Sequence, residues 1–435
     1  MQAFEVTNES SYYYYAHNGV LTLALTMRLT LDHTIDHQAM QQALTRAAHT
    51  YPQFSSRLAY VDGRWWYVPN ELDVVLYAAQ DNSCSLGGPD TNHYLYRVWA
   101  EGNSVGIVAS HGMGDGHCLT DFMRTLLFYY AVERGLVDED SAPEGIFLEG
   151  QVEVPAFDPY LRYANTEQAP IGTPDIGPIF APSVAYSEDA GDFSCHVDLI
   201  ELPAAQLRDL AKRVQARISP LVMALEARAI AQAWDTAGAS LIGPITYNMR
   251  PYFETGMMDN FSSWALAVLP GQVLAADLAT QCAVIAQAME QQLNVEAMRV
   301  QMGRSIANTA AERGKSLDEL FSSTERHMEE ARYTRKYLSL YVSNVGALRL
   351  PEPLAQMLVS AECYLPSFSS PINLTMMGTP STVRISITRT FDDDGISRAM
   401  LAQLQEQGID ARLELRGRQL FPRMGREAVL ELERI

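Results

Sequence analysis

The chain has 435 residues, too many for one typical core, so two domains of roughly 150 to 250 residues each are expected. Hydrophobic residues at 47% and charged residues at 19% describe a folded protein, and a net charge of -20, from 52 acids against 32 bases, excludes broad attraction to nucleic acid or an anionic membrane. The five cysteines at positions 84, 118, 195, 282 and 363 include no C-x-x-C pair, so the pattern indicates neither a disulfide framework nor a cysteine zinc site and fits a reducing cytoplasm.

The opening M-Q-A-F-E-V-T-N-E-S lacks the basic start and apolar run of a signal peptide, and no run of about 18 apolar residues is present to span a bilayer. After the tyrosine run Tyr12 to Tyr15, the segment Val20 to Leu31 reads as a strand. Asp36 is placed to cap a helix whose apolar face is Met40, Ala43, Leu44, Ala47, Ala48 and Tyr51, stopped by Pro52. Residues 54 to 68 and 94 to 100 read as strands, with Asp62-Gly63 as a hairpin turn. The run V-G-I-V-A-S-H-G-M-G-D-G-H-C-L, Val105 to Leu119, is a buried strand entering a glycine-rich turn, and Leu119, Phe122, Leu126, Leu127 and Tyr130 give an amphipathic helix leaving it.

Seven prolines between 143 and 182 mark residues 141–191 as a crossover between an N-terminal domain, 1–140, and a C-terminal one, 192–435. The second half opens with a strand near Phe193 to Leu202 and a helix striped by Leu207, Leu210, Ala211, Val214 and Ile218. Ser219-Pro220 then reads as cap and first-turn proline of a buried helix running to Trp234. A strand from Leu241 to Met249 ends at Arg250-Pro251. Long helices are expected at 274–298 and 316–335, the second opened by the capping box Ser316-Leu-Asp-Glu319. Strands follow at Tyr337 to Ser343 and Val383 to Phe391, and a helix from Ser397 to Gln407.

His111, at the carboxyl end of a strand, is the side chain best matched to take and return a proton near neutral pH. Asp115 follows four residues later, and glycines at 112, 114 and 116 would let substrate and backbone approach the imidazole closely. Other readings of the turn fit less well. A dinucleotide fingerprint from Gly112 fails at its third glycine, which is His117. A metal site of His111, Asp115 and His117 lacks a second cluster of ligands elsewhere. Cys118 falls where the helix turns toward the core, so it and His117 are assigned to ordinary packing.

These residues carry a resemblance. S-H-G-M-G-D-G resembles the H-x-x-x-D-G signature of the chloramphenicol-acetyltransferase-like acyltransferase superfamily, which includes peptide condensation domains, plant-type HxxxD acyltransferases and alcohol acetyltransferases. Tyr51-Pro-Gln-Phe-Ser-Ser-Arg-Leu58, Thr246-Tyr-Asn-Met-Arg-Pro251, Ser343-Asn-Val-Gly346 and Phe391-Asp-Asp-Asp-Gly395 follow in the family's order, so the likeness spans the chain. It implies an α/β fold of two such subdomains, each a mixed sheet with flanking helices, arranged as a V around a central tunnel. It further implies that His111 deprotonates an acceptor hydroxyl or amine that attacks a thioester directly, and that Asp115 points away to pair with Arg250. Ser343 and Asn344 become candidates to donate to the oxyanion, or else a polar strand end; the Gly116 N–H is a further donor, and Asn248 and Tyr247 are placed to line the tunnel.

Two departures, Ser110 in place of the second histidine of condensation domains and Asp259-Asn-Phe-Ser-Ser in place of D-F-G-W-G, move the reading toward the alcohol-acetyltransferase-like branch. The expected donor is acyl-coenzyme A, used as co-substrate with no tightly bound cofactor or metal, carrying an acetyl or other short acyl group to a small-molecule acceptor. The alternatives are a carrier-protein thioester, as in condensation domains, and a non-catalytic binding member of the same fold. The basic cluster Arg326, His327, Arg332, Arg335 and Lys336 is placed either to meet coenzyme A phosphates or a carrier, or to form a solvated helix face. A single chain suffices for the tunnel, so a monomer fits.

Overall fold

The computed structural model describes residues 2–16, 23–154, 156–166, 178–180, 194–255, 258–322, 338–367 and 370–433. The basic cluster at 326–336 and much of the crossover at 141–191 lie outside them.

Sixteen strands among the described residues form three sheets, each mixing parallel and antiparallel pairs. In the first half these are β1 (Phe4–Glu5), β2 (Ala24–Leu31), β3 (Ser56–Val61), β4 (Arg64–Pro69), β5 (Leu76–Tyr77), β6 (Tyr96–Glu101) and β7 (Ser104–Ser110). The second half carries β8 (Ser194–Pro203), β9 (Leu241–Asn248), β10 (Ser262–Leu269), β11 (Tyr341–Ala347), β12 (Leu358–Tyr364), β13 (Ile372–Gly378), β14 (Thr382–Arg389), β15 (Arg412–Leu420) and β16 (Val429–Glu431). The strand orders are β1-β4-β3-β16, β12-β2-β7-β6-β5 and β10-β9-β11-β13-β14-β8-β15. The longer helices are α1 (Asn8–Ala16), α2 (His37–Thr50), α3 (Gly116–Glu133), α4 (Pro159–Tyr163), α5 (Ala204–Arg213), α6 (Ile218–Ala233), α7 (Leu278–Gln292), α8 (Val295–Glu312), α9 (Leu317–Ser322) and α10 (Gly395–Glu406).

Most elements follow their local signals. The Asp36 carboxylate accepts from the amides of Gln38 and Ala39, which would otherwise be unpaired at the start of α2. Asp62 and Gly63, both with positive φ, turn β3 into β4. The Ser316 hydroxyl and the Glu319 carboxylate satisfy each other's amides at the head of α9.

Three expectations need correction. The helix expected at 274–298 is two: α7 stops at Gln292, and the Asn294 side chain accepts from the Ala297 amide to start α8. Ser219 is not a cap, because α6 begins at Ile218 and Ser219 lies inside its first turn. The strands also do not divide at the crossover. Strand β12 pairs with β2 and β16 with β3, so the second half adds a strand to each sheet of the first.

Alternation decides what each face of the seven-stranded sheet meets. Ile245, Ala265, Val342, Leu374, Met376, Ile385 and Ile387 point to one core with α6, α7 and α10. Val345 and Met377 point the other way and pack against the first half's core, built on β2, β7, α2 and α3. Glu362 on β12 is fully buried between them and accepts from both Arg384 and Arg416.

Candidate active site

Strand β7 is buried along its whole length and lies between β2 and β6. Its end is held by the His111 amide, which donates to the Leu23 carbonyl at 2.8 Å, before one 3-10 turn and the start of α3 at Gly116. The glycines have packing reasons beyond open access. A Cβ on Gly112 would fall 2.4 Å from the Tyr14 ring, one on Gly114 2.5 Å from the Cys118 sulfur, and one on Gly116 3.0 Å from Val345. The role assigned to 112 and 114 as openings for substrate is therefore corrected: these glycines admit protein side chains.

Asp115 joins the two halves. Its Oδ1 caps α3 by accepting from the amides of His117 (3.1 Å) and Cys118 (3.0 Å). Its Oδ2 accepts from Arg250 Nη1 (2.8 Å) and the Phe261 amide (3.1 Å). Burial alone would push this carboxyl up, but the Arg250 charge and hydrogen bond, with the amides, hold it below the ordinary carboxylate range. Arg250 is steadied by Asn248 Oδ1, which accepts from its amide (3.0 Å) and Nη1 (3.2 Å), and donates from Nη2 to the Asp259 carbonyl (2.5 Å). Asn248 thus props the arginine through its Oδ1.

The imidazole of His111 is half-buried. Tyr13 stacks on it with centroids 4.4 Å apart and planes 9° from parallel. Asn260 holds its edge: Nδ2 donates to the His111 carbonyl (2.6 Å) and to Ser10 Oγ (2.8 Å), and Oδ1 lies 3.1 Å from Nδ1. With both carboxamide hydrogens committed, Oδ1 is the acceptor and Nδ1 carries the proton. Nε2 keeps its lone pair and has no partner among the described residues. Burial lowers the imidazole pKa from 6.5, partly offset by the ring's own carbonyl, Asp115 and Asn260, so the neutral base is the form present at pH 7. Asp259, beneath Asn260, accepts from Thr7 (2.6 Å) and Ser10; burial pushes its carboxyl up to about 6 against those hydrogen bonds.

The other candidates separate. Thr246 donates to Ser343 Oγ at 3.0 Å, which leaves the Ser343 hydroxyl hydrogen for another acceptor. Asn344 faces the other side of β11, where its Nδ2 donates to Ser219 on α6 (3.1 Å) and its Oδ1 accepts from Gly346; it is corrected from oxyanion donor to strand anchor. The Gly116 amide has no partner among the described residues. Tyr247 donates to Gln301 on α8. Cys118 is buried, its thiol donates to the Met258 carbonyl, and burial pushes its pKa far up, which excludes a resting thiolate. His117, assigned to ordinary packing, is exposed and sits 3.6 Å from Asp121 one turn on.

Sequence reasoning missed Tyr13, Ser10 and Asn260. The tyrosine run was visible without a partner, and Asp259-Asn260 stood out only as a departure from a motif. A cavity of about 280 Å³, lined by Phe4, Tyr67, Phe157, Leu161, Met258 and Asp259 among others, lies behind Asp259, and His111 is not part of its wall. Among the described residues no three His, Cys, Asp or Glu side chains converge as a metal would need, and no helix is long and apolar enough to cross a membrane.

No family model and no curated protein matches this sequence. Solved structures match in fold. TRI101 of F. sporotrichioides, complexed with coenzyme A and T-2, is 10% identical with a TM-score of 0.60, covering 95% of this chain and 100% of its own. TRI3 trichothecene 15-O-acetyltransferase from Fusarium sporotrichioides is 12% identical with a TM-score of 0.61, covering 93% and 94%. The first condensation domain of the CDA synthetase is 14% identical with a TM-score of 0.55, covering 93% and 95%. The chain therefore has the α/β fold shared by TRI101, the TRI3 acetyltransferase and the condensation domain.

Proposed function

We propose that the protein transfers an acyl group from a coenzyme A thioester to the hydroxyl or amine of a small-molecule acceptor, with His111 as general base. The observation that carries this reading is the open Nε2 of a neutral imidazole whose other nitrogen is already hydrogen-bonded, set on a loop that Asp115 and Arg250 pin across the two halves. In the reaction the acceptor oxygen or nitrogen attacks the thioester carbonyl carbon while its proton passes to Nε2. The oxyanion that forms meets Ser343 and the Gly116 amide, at the positive end of α3. The C–S bond then breaks, and the departing thiolate takes the proton back from the imidazolium. No acyl-enzyme forms, and Asp115, spent on four hydrogen bonds, holds the loop without touching the reacting atoms.

Coenzyme A is the preferred donor because TRI101 carries it in a structure of the same fold. The likeness to a condensation domain supports a carrier-protein thioester as the second reading. Free-thiol release from acetyl-coenzyme A with a panel of alcohols and amines tests the first, and the same panel with an acylated carrier tests the second. His111→Ala is expected to lower turnover about 10² to 10⁴ fold. Unchanged turnover removes the mechanism, and no turnover with any pair leaves the reading of a binding protein. The acidic limb of kcat/KM is expected below pH 6.5, since burial lowers the His111 pKa from that value.

A further inference from the structure

The described groups around His111 bear on more than its access to substrate. A histidine works as a base through Nε2 only while Nδ1 holds the ring proton. Free imidazole side chains favour the opposite tautomer, with the proton on Nε2, so something in the fold must reverse that preference. The ring's contact with the carbonyl of His111 itself acts in that direction, and Asn260 adds a second acceptor at 3.1 Å from Nδ1, supplied by the other half of the chain, 149 residues away.

We infer that Asn260 is a positioning residue that, together with the carbonyl of His111 itself, sets the tautomer of His111, with Ser10 holding its carboxamide the right way round and Tyr13 keeping the ring from turning over. A carboxamide can present either its oxygen or its nitrogen to Nδ1, and the two choices select opposite tautomers. Here the choice is made twice: the His111 carbonyl and Ser10 Oγ, an oxygen on each side, both require the NH₂ end. Ser10 in turn points its own hydrogen at the Asp259 carboxylate, so its lone pairs face Asn260. The Asn260 amide bonds to the same carboxylate at 2.6 Å, which fixes the backbone from which the side chain projects. Asn260 is 1% exposed and Ser10 0%, so water cannot substitute for either. Exchange of Nδ1 and Nε2 by ring rotation would swing the imidazole edge-on through the Tyr13 ring stacked against its face.

The inference rests on His111 being the base, but its main readout does not need a substrate. Nitrogen-15 spectra of the histidine ring in the intact protein, assigned by the signal lost in His111→Ala, report the tautomer directly. Wild type is expected to show a protonated Nδ1 and a lone pair on Nε2 at pH 8. Asn260→Ala should move His111 toward the Nε2-protonated form and lower kcat at least tenfold with KM within a factor of two; a wrong tautomer in a comparable triad costs up to about 10⁴ fold. Ser10→Ala keeps the carboxamide and removes one anchor, and should give a smaller change of the same sign if the alanine variant at 260 fails to fold. Asn260→Asp keeps an acceptor for Nδ1–H, and so the tautomer, while adding a negative charge; the acidic limb of kcat/KM should rise by about one pH unit or more. The other charges near the ring, Asp115 and Arg250 beside the loop, Asp259 beyond Ser10 and Glu9 near Tyr13, are unchanged in all three variants. A wild-type tautomer in Asn260→Ala, or in a folded Ser10→Ala with Asn260→Asp leaving the pH profile unmoved, overturns the inference. If His111→Ala keeps full activity instead, the general-base reading fails whatever the spectra show.

Discussion

Asp115 and Glu226 are both acids with almost no exposure, 3% and 1%, one at the head of a helix in the first half and one in the middle of a helix in the second. Around Asp115 converge a guanidinium and three backbone amides. Neither carboxylate oxygen of Glu226 has a hydrogen-bond partner among the described residues. Burial pushes the Glu226 carboxyl well up and so favours its neutral form, whereas the Arg250 charge and the amides hold the Asp115 carboxyl below the ordinary range and favour its ion. Equal burial thus shifts the two carboxyls in opposite directions, and what decides is whether donors were supplied along with the acid.

The comparison breaks most visibly at Arg250. Arg250→Ala leaves Asp115 ionised and buried beside amides alone, and is expected to cost about 3 to 5 kcal/mol in urea unfolding together with activity. The double change Asp115→Asn with Arg250→Met removes both charges and should recover part of that loss; a double variant as unstable as the sum of its parts would mean the two residues are not coupled.

Glu226 is expected to respond to pH with the reverse sign of Asp115. Its folded pKa lies above the ordinary 4.5, so its contribution is fully present below pH 4.5 and is lost as pH rises toward the folded value, at about 1.4 kcal/mol per pH unit. Asp115, with its pKa held below 3.8, contributes in full above that pH and loses its share as pH falls through the folded value. Glu226→Met should therefore gain on wild type steadily with pH between 5 and 7, and a constant difference across that range would show that Glu226 is ionised or water-exposed in the fold. The smallest effect separates helix capping from charge pairing. Asp36→Ala, which removes a cap with no buried cation behind it, should cost about 1 kcal/mol. A loss at Asp36 as large as that at Asp115 would mean that the Arg250 pair adds little.

Much of the local structure was legible. Asp36, the Asp62-Gly63 turn and the Ser316–Glu319 box act through neighbours two or three residues away, and each does what its spacing announced. Errors arose where a cap inside an apolar run, or a partner far along the chain, overrode the pattern. Apolar residues run on past 293, yet Asn294 starts a new helix. Strand β12, not picked out from the sequence, lies in the second half but completes the first half's sheet, where its Glu362 is neutralised by two arginines from β14 and β15. Strands β10, β13 and β15 were passed over, although the alternation in Ser262–Leu269 is regular.

By itself, the sequence determined the strand, the glycine turn and the capped helix that present His111, because hydrophobic period, glycine and N-cap chemistry act within a few residues. Only the tertiary structure decided which nitrogen of that histidine is free. The deciding contacts come from Tyr13 and Ser10, about a hundred residues before it, and from Asn260, 149 residues after it. A single hydrogen bond across such a distance leaves no periodic trace in the chain; it exists because two halves that share strands bring these polar groups into one dry place, where every donor must find an acceptor.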